Sequence, residues 1–191
     1  MMKKIIYIFS VILLAGCFGG YSPESKFYRI QSVEDVVPVS RKNVSIGVDL
    51  PELPEYADRP QFVSLLSNGT AINIDETNRW GEDLDIMLQR VIADDLRVYL
   101  PNSNVKAKTS LLEKYRYVIS VTITKFEMID NKEAVFEALW NIKNGSSLNI
   151  IYKGKTALNM PVDDGYDGYA KAMSNMVALM SKQIAESLVK R

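Results

Sequence analysis

Residues 115–158 read YRYVISVTITKFEMIDNKEAVFEALWNIKNGSSLNIIYKGKTAL, and the reading of this stretch decides the fold class. Tyr117, Ile119, Val121 and Ile123 alternate with Ser120, Thr122 and Thr124, and Phe136, Ala138, Trp140 and Ile142 then alternate with polar neighbours. A period of two sends one set of side chains into a core and the other to water. The turn formers Asp130-Asn131-Lys132 and Asn144-Gly145 separate the runs. Three strands over 115–128, 133–143 and 148–158, joined by short turns, read as an antiparallel meander.

Helical periods flank the meander. Upstream, Leu84, Met87, Leu88, Val91, Ile92, Leu96 and Tyr99 recur at helix spacing over 82–99. Asp85, Arg90, Asp94, Asp95 and Arg97 take the opposite, solvated side, and Pro101 stops the helix. Downstream, Tyr169, Met173, Met176, Val177, Met180, Ile184 and Leu188 form one stripe of a helix over 166–189. Its alanines permit close approach to a sheet, so the methionines are expected in the core rather than in an adaptable partner groove. Further toward the start, strands are expected at 27–30 and 44–50, and 61–66 and 70–75 flank the turn pair Asn68-Gly69 as a hairpin. Helices that do not alternate regularly with strands indicate an α+β fold: a two-layer sandwich, a largely antiparallel sheet with two main helices packed on it.

The first residues have another purpose. Lys3 and Lys4, the apolar run from Ile5 to Leu14, and Leu14-Ala15-Gly16-Cys17 have the layout of a lipoprotein signal peptide. Residues 1–16 are expected to be removed and Cys17 to carry the lipid, with 17–26 as a short tether and 27–191 as a single domain. Two or more acyl chains hold a protein firmly where one does so only marginally. Phe18, not an aspartate, follows Cys17, which favours the outer membrane, periplasmic face. The nine residues from Phe18 to Lys26 reach at most about 30 Å, which keeps the domain close to its bilayer. Cys17 is the sole cysteine, so no intramolecular disulfide is available.

Charge and composition remove several function classes. Without residues 1–16 the chain keeps 21 of its 23 basic residues and all 23 acidic ones, which leaves no electrostatic footprint for nucleic acid. The absence of histidine takes away the usual general base and the commonest zinc ligand, and no nucleophile elbow, P-loop or dinucleotide glycine pattern occurs. The pair Asp94-Asp95 reads as part of a solvated helix face. Asp163, Asp167 and Gly168 match three positions of a calcium loop, but Gly165 and Ser174 stand where it needs an oxygen ligand and a bidentate glutamate. A turn that caps the last helix is the expected structure; no metal, no cofactor beyond the lipid on Cys17, and no enzymatic activity are expected.

Three further stretches carry a resemblance: Phe27-Tyr28, the loop Leu50-Pro51-x-x-Pro54-x-Tyr56-x-Asp58-Arg59-Pro60-Gln61-Phe62-Val63, and Asn78-Arg79-Trp80-Gly81-Glu82-Asp83-Leu84. Together with the lipobox, Trp140 and the alanine-rich last helix, they make the chain resemble the ABC-type transport auxiliary lipoproteins, the group that includes the C component of the paraquat-inducible (Pqi) system. Ala57, more often leucine in that family, and Gly81, often alanine, are small departures. The resemblance implies a non-enzymatic auxiliary of a trans-envelope lipid transport system that supports membrane integrity, with a periplasmic MCE-domain protein as partner. Candidate partner-binding residues are Tyr56, Asp58, Arg59, Gln61, Arg79 and Trp80. Tyr56 and Arg59 are of the types favoured as interface anchors; equally, Tyr56 packs on the sheet and Asp58 holds the loop. Trp80 is either a surface anchor or, as its place at a helix start favours, a staple to the core. The alternative functions are a periplasmic lipid carrier lined by the last helix, or a part of another outer-membrane assembly machine.

Overall fold

The computed structural model describes residues 23–66, 69–110 and 112–190; the export segment 1–16, Cys17 and Asn68 lie outside them. The elements run β1 (Lys26–Tyr28), β2 (Ser45–Val48), β3 (Gln61–Leu65), β4 (Ile72–Trp80), α1 (Leu84–Tyr99), β5 (Asn104–Ala107), β6 (Tyr117–Ile129), β7 (Glu133–Asn144), β8 (Ile150–Pro161) and α2 (Gly165–Val189). The expected meander is β6-β7-β8, and its two antiparallel ladders are the longest in the sheet. Shorter strands make the sheet mixed: β1 on β4, β2 on β5, and both β2 and β3 on β6 are parallel.

The alternation read over 117–123 changes phase at Thr124, where a bulge adds one residue between Ile123 and Lys125. Beyond it, Phe126 and Met128 take the inward places that odd-numbered residues held before. Both helices pack against this inner face and against each other, and every residue of the two predicted apolar stripes is buried. Met173, Met176 and Met180 are wholly enclosed, so the methionine stripe is core. Gln89 of α1 donates from Nε2 to the carbonyls of Val48 at 2.8 Å and Lys108 at 3.0 Å, which satisfies backbone groups at the ends of β2 and β5.

Asp95 departs from the sequence reading. It is 0% exposed, not on a solvated face. Between β1 and β2 the chain crosses the outside of the helix layer as a strap. Its backbone amides are tied down by Met87 Sδ (from Ile30, 3.0 Å), Ser174 Oγ (from Gln31, 3.0 Å) and Asp95 Oδ1 (from Val33, 2.8 Å). The strap and α2 cover Asp95, and a helical wheel has no knowledge of either. Asp95 Oδ2 and Ser181 Oγ are buried without a well-formed partner.

Asp163 to Gly168 form a turn with Asp164 and Gly165 both at positive φ (73° and 62°), but no side chain caps the helix. Among the described residues no group of three or more acidic or thiol side chains is placed to hold a metal. Gly154 of β8 lies under the indole of Trp140, where an added Cβ would meet Cζ2 at 2.1 Å. The same indole donates to Thr156 Oγ1 at 3.1 Å and stacks on Tyr152 at 5.4 Å. Gly154→Ala therefore forces a buried ring to move. An expected loss of about 1–3 kcal/mol is measurable by urea denaturation, with a changed near-UV signal from the indole.

Candidate docking surface

One edge of β6 is shared by two strands, β2 alongside Tyr117–Ile119 and β3 alongside Met128–Ile129, and the sheet forks between them. The Pro-rich loop fills the fork. Its first part still pairs with β6: Glu52 donates its amide to Val121 and accepts from Ile123, at 3.0 and 2.8 Å. Pro54 has no N–H to continue the ladder, and the chain leaves the edge in a turn in which Ala57 and Asp58 both donate to the Pro54 carbonyl, at 2.8 and 3.1 Å.

Within that turn the side chains divide. Tyr56 is half-buried and donates to Glu127 Oε1 at 2.7 Å. Burial, and then this bond, holds its hydroxyl pKa well above the ordinary value. Ala57 is buried, so the smaller residue at this family position sits against the core. Asp58 is exposed, and among the described residues it is its backbone amide, not its carboxylate, that bonds within the loop. Arg59 is partly covered, and its Nε is buried without an acceptor, an arrangement that costs about 1–3 kcal/mol.

Gln61 and Arg79 are brought side by side by a register jump of β3 on β4, in which Gln61 faces Arg79 while Phe62 faces Asp75. The excursion Glu76-Thr77-Asn78 is held by Asp75. Its Oδ1 accepts from the Thr77 amide and hydroxyl, both at 2.8 Å, and from the Asn78 amide at 2.9 Å, while Oδ2 accepts from Tyr166 at 2.7 Å. Burial pushes the Asp75 carboxyl pKa up, but these bonds outweigh it and hold it far below the usual range. On the outside, Glu76 receives Gln61 Nε2 at 3.2 Å and Arg79 Nη2 at 3.4 Å. Sequence reasoning missed Asp75. The Asp-x-Thr-Asn spacing, suited to a side chain that bonds backbone amides two and three residues on, is the signal that marks it.

Trp80 is not part of this surface. It is 4% exposed, with Phe62, Phe126 and Tyr169 rings 4.3, 5.8 and 6.0 Å away. Its amide, donated to the Pro60 carbonyl at 2.7 Å, is what ties the loop to β4. The structure thus gathers Asp58, Arg59, Gln61 and Arg79 around the end of the loop and withdraws Tyr56 in part and Trp80 wholly. A separate concavity of about 700 Å³ lies where the strap crosses the helices, lined among others by Arg29, Arg90, Asp94, Lys171 and Asn175. Ile30, Val33, Val36 and Val91 line it beside these charged and polar groups, so its surface is mixed.

Solved structures share the fold. An uncharacterized protein superposes with TM-score 0.72 at 22% identity, over 87% of this chain and 99% of its own. Protein XCC0632 from Xanthomonas campestris, of family DUF330, gives 0.64 at 12% identity, over 87% and 92%. A PelC variant dodecamer from Paraburkholderia phytofirmans gives 0.51 at 11%, over 76% and 91%. At such identities the likeness concerns the fold alone. No curated protein matches the chain. The ABC-type transport auxiliary lipoprotein component family matches residues 28–185, nearly the whole folded region. The chain belongs to that family of transport auxiliary lipoproteins.

Proposed function

We propose that the protein is a lipid-anchored, non-enzymatic docking component at the periplasmic face of the outer membrane, serving an MCE-type, Pqi-like trans-envelope lipid transport system that supports membrane integrity. Cys17 carries the anchor, and residues 27–191 act as one unit that receives the periplasmic MCE-domain partner. Family membership, which is that of a transport auxiliary, supports the setting. The observation that supports the docking role is Arg59, partly exposed at the rim of an open loop, whose guanidinium makes no ion pair with another described residue. Its Nε is buried, so a partner carboxylate or carbonyl would bind the outer N–H groups, beside Gln61 and Arg79. The alternative of a lipid carrier has less behind it, because the methionine stripe that would line its chamber is filled by the sheet.

Arg59→Glu tests this role. A charge-assisted bond is worth about 1.5–3 kcal/mol, so recovery of the MCE-domain protein with the lipoprotein is expected to fall about tenfold or more. No bond within the fold is lost and the unpaired buried Nε is removed, which offsets the cost of a carboxylate at a partly covered position, so the variant should stay folded, as its urea midpoint would show. Undiminished recovery with Arg59→Glu would remove the loop from the interface.

A further inference from the structure

We propose that the β3–β4 hairpin end of the fold rests on the membrane that holds the anchor, with Leu66, Ile72 and Ile74 entering the headgroup region of a zwitterionic leaflet. This rests on the lipid anchor at Cys17 proposed above. The direction of β1 is the first ground. It pairs parallel with β4, with Lys26 opposite Asn78. Traced backward from Lys26, the chain therefore heads toward the start of β4, where the hairpin turns. From Asn78 to Ile72 is six residues, about 20 Å of strand, and the nine residues back to Cys17 reach at most about 30 Å, long enough for a membrane that holds the anchor to meet the hairpin end.

The surface there is the second ground. Leu66, Ile72 and Ile74 are 50%, 51% and 39% exposed. Asp75 turns inward to Tyr166 of α2, so Ile72 and Ile74 project from the sheet face that the helices leave open. Ile72 faces Leu65, and Leu65 faces Ile129, which extends the apolar row across three strands. Contiguous apolar surface of this kind marks an interaction site more often than isolated exposed residues do. The turn beyond Ile129 carries Asp130, whose amide binds the Leu65 carbonyl at 2.9 Å, and Lys132, one charge of each sign, so it adds no net charge that would call for an anionic leaflet. At the opposite end of the sheet stands the β7–β8 turn, with Leu148 exposed.

The test uses the full-length lipidated protein reconstituted in phosphatidylcholine vesicles, a fraction of whose acyl chains carry bromine near the headgroup. Tryptophan is placed by Ile72→Trp, by Ile74→Trp and, as the distal control, by Leu148→Trp. Trp80 and Trp140, both buried, give a background equal to the parent signal. The expected result is that brominated lipid quenches the added emission at 72 and 74 at least twofold and leaves that at 148 unchanged. Equal quenching at both ends, or none at 72 and 74 in protein that floats with the vesicles, overturns the inference while the anchor stands. Failure of the parent protein to float overturns the anchor and the inference with it. A concentration-dependent blue shift of Ile72→Trp in the unanchored Cys17→Ser protein, without vesicles, assigns the patch to contact between copies and likewise overturns it.

Discussion

Trp80→Ala is expected to lower stability by about 3–5 kcal/mol, which for a chain of this size lowers the melting temperature by roughly 10 °C. The indole is enclosed by Phe62, Phe126 and Tyr169, and Phe62 in turn touches Tyr28 and Tyr166 at centroid distances of 4.9 and 5.3 Å. This aromatic cluster joins β1, β3, β4, β6 and α2, so a cavity at its centre cannot be closed by movement of one element. Arg79 beside it is the contrast. Its ion pair with Glu76 is solvent-exposed, 35% and 70% by side chain, and is worth about 0–1 kcal/mol. Arg79→Ala should accordingly leave the denaturation midpoint nearly where it was. A Trp80→Ala protein as stable as the parent would place the indole outside the core and restore it as a surface anchor.

The second large effect is a pH dependence centred on Asp95. Burial is the main cause that pushes its carboxyl up to about 7, against a weaker opposing pull from the Val33 amide and the Ser181 hydroxyl. The unfolded chain holds the same group near 3.8. A folded-state value above the unfolded one means that the native state binds the proton more tightly. The stabilisation is complete below about pH 4 and is lost as pH rises toward 7, where a charge must be kept in the core. Asp95→Asn retains an oxygen for the Val33 amide without that charge. Its stability relative to the parent should therefore grow between pH 4 and pH 8, by an amount on the order of 4 kcal/mol at full ionisation. Urea denaturation at several pH values reads this difference directly. Asp75, Glu82 and Glu137 are shifted the opposite way and weaken the fold on acidification in both proteins, so they cancel in the comparison. A pH-independent difference would mean that water or a cation reaches Asp95.

Both predictions rest on residues that the sequence shows unequally well. The meander, the two helices and their buried stripes follow from periods of two and of 3.6, because each is local and sustained over ten residues or more. The strand over 70–75 was legible, but its continuation to Trp80 was not, since Glu76-Thr77-Asn78 bulge outward and break the alternation. β5, with four residues between a turn and a loop, carries too little pattern to stand out. Asp95 was misplaced for a different reason: helical periodicity assigns it to water, and only the strap from residues 30–33 and the approach of α2 bury it. The loop was found through its motif, yet its division into a packed part, Tyr56 and Ala57, and an open part, Asp58 and Arg59, depends on the fork in the sheet. That fork is a property of strand order, which pairwise patterns along the chain do not encode.

The docking role is most directly tested by photocrosslinking in intact cells from Asp58, which is exposed at the loop end, with Cys17→Ser as the unanchored control. The expected result is a crosslink to a periplasmic MCE-domain protein that is lost or weakened in the control. Crosslinks to phospholipid alone, or an MCE-domain adduct of equal yield without the anchor, would contradict a membrane-held docking component.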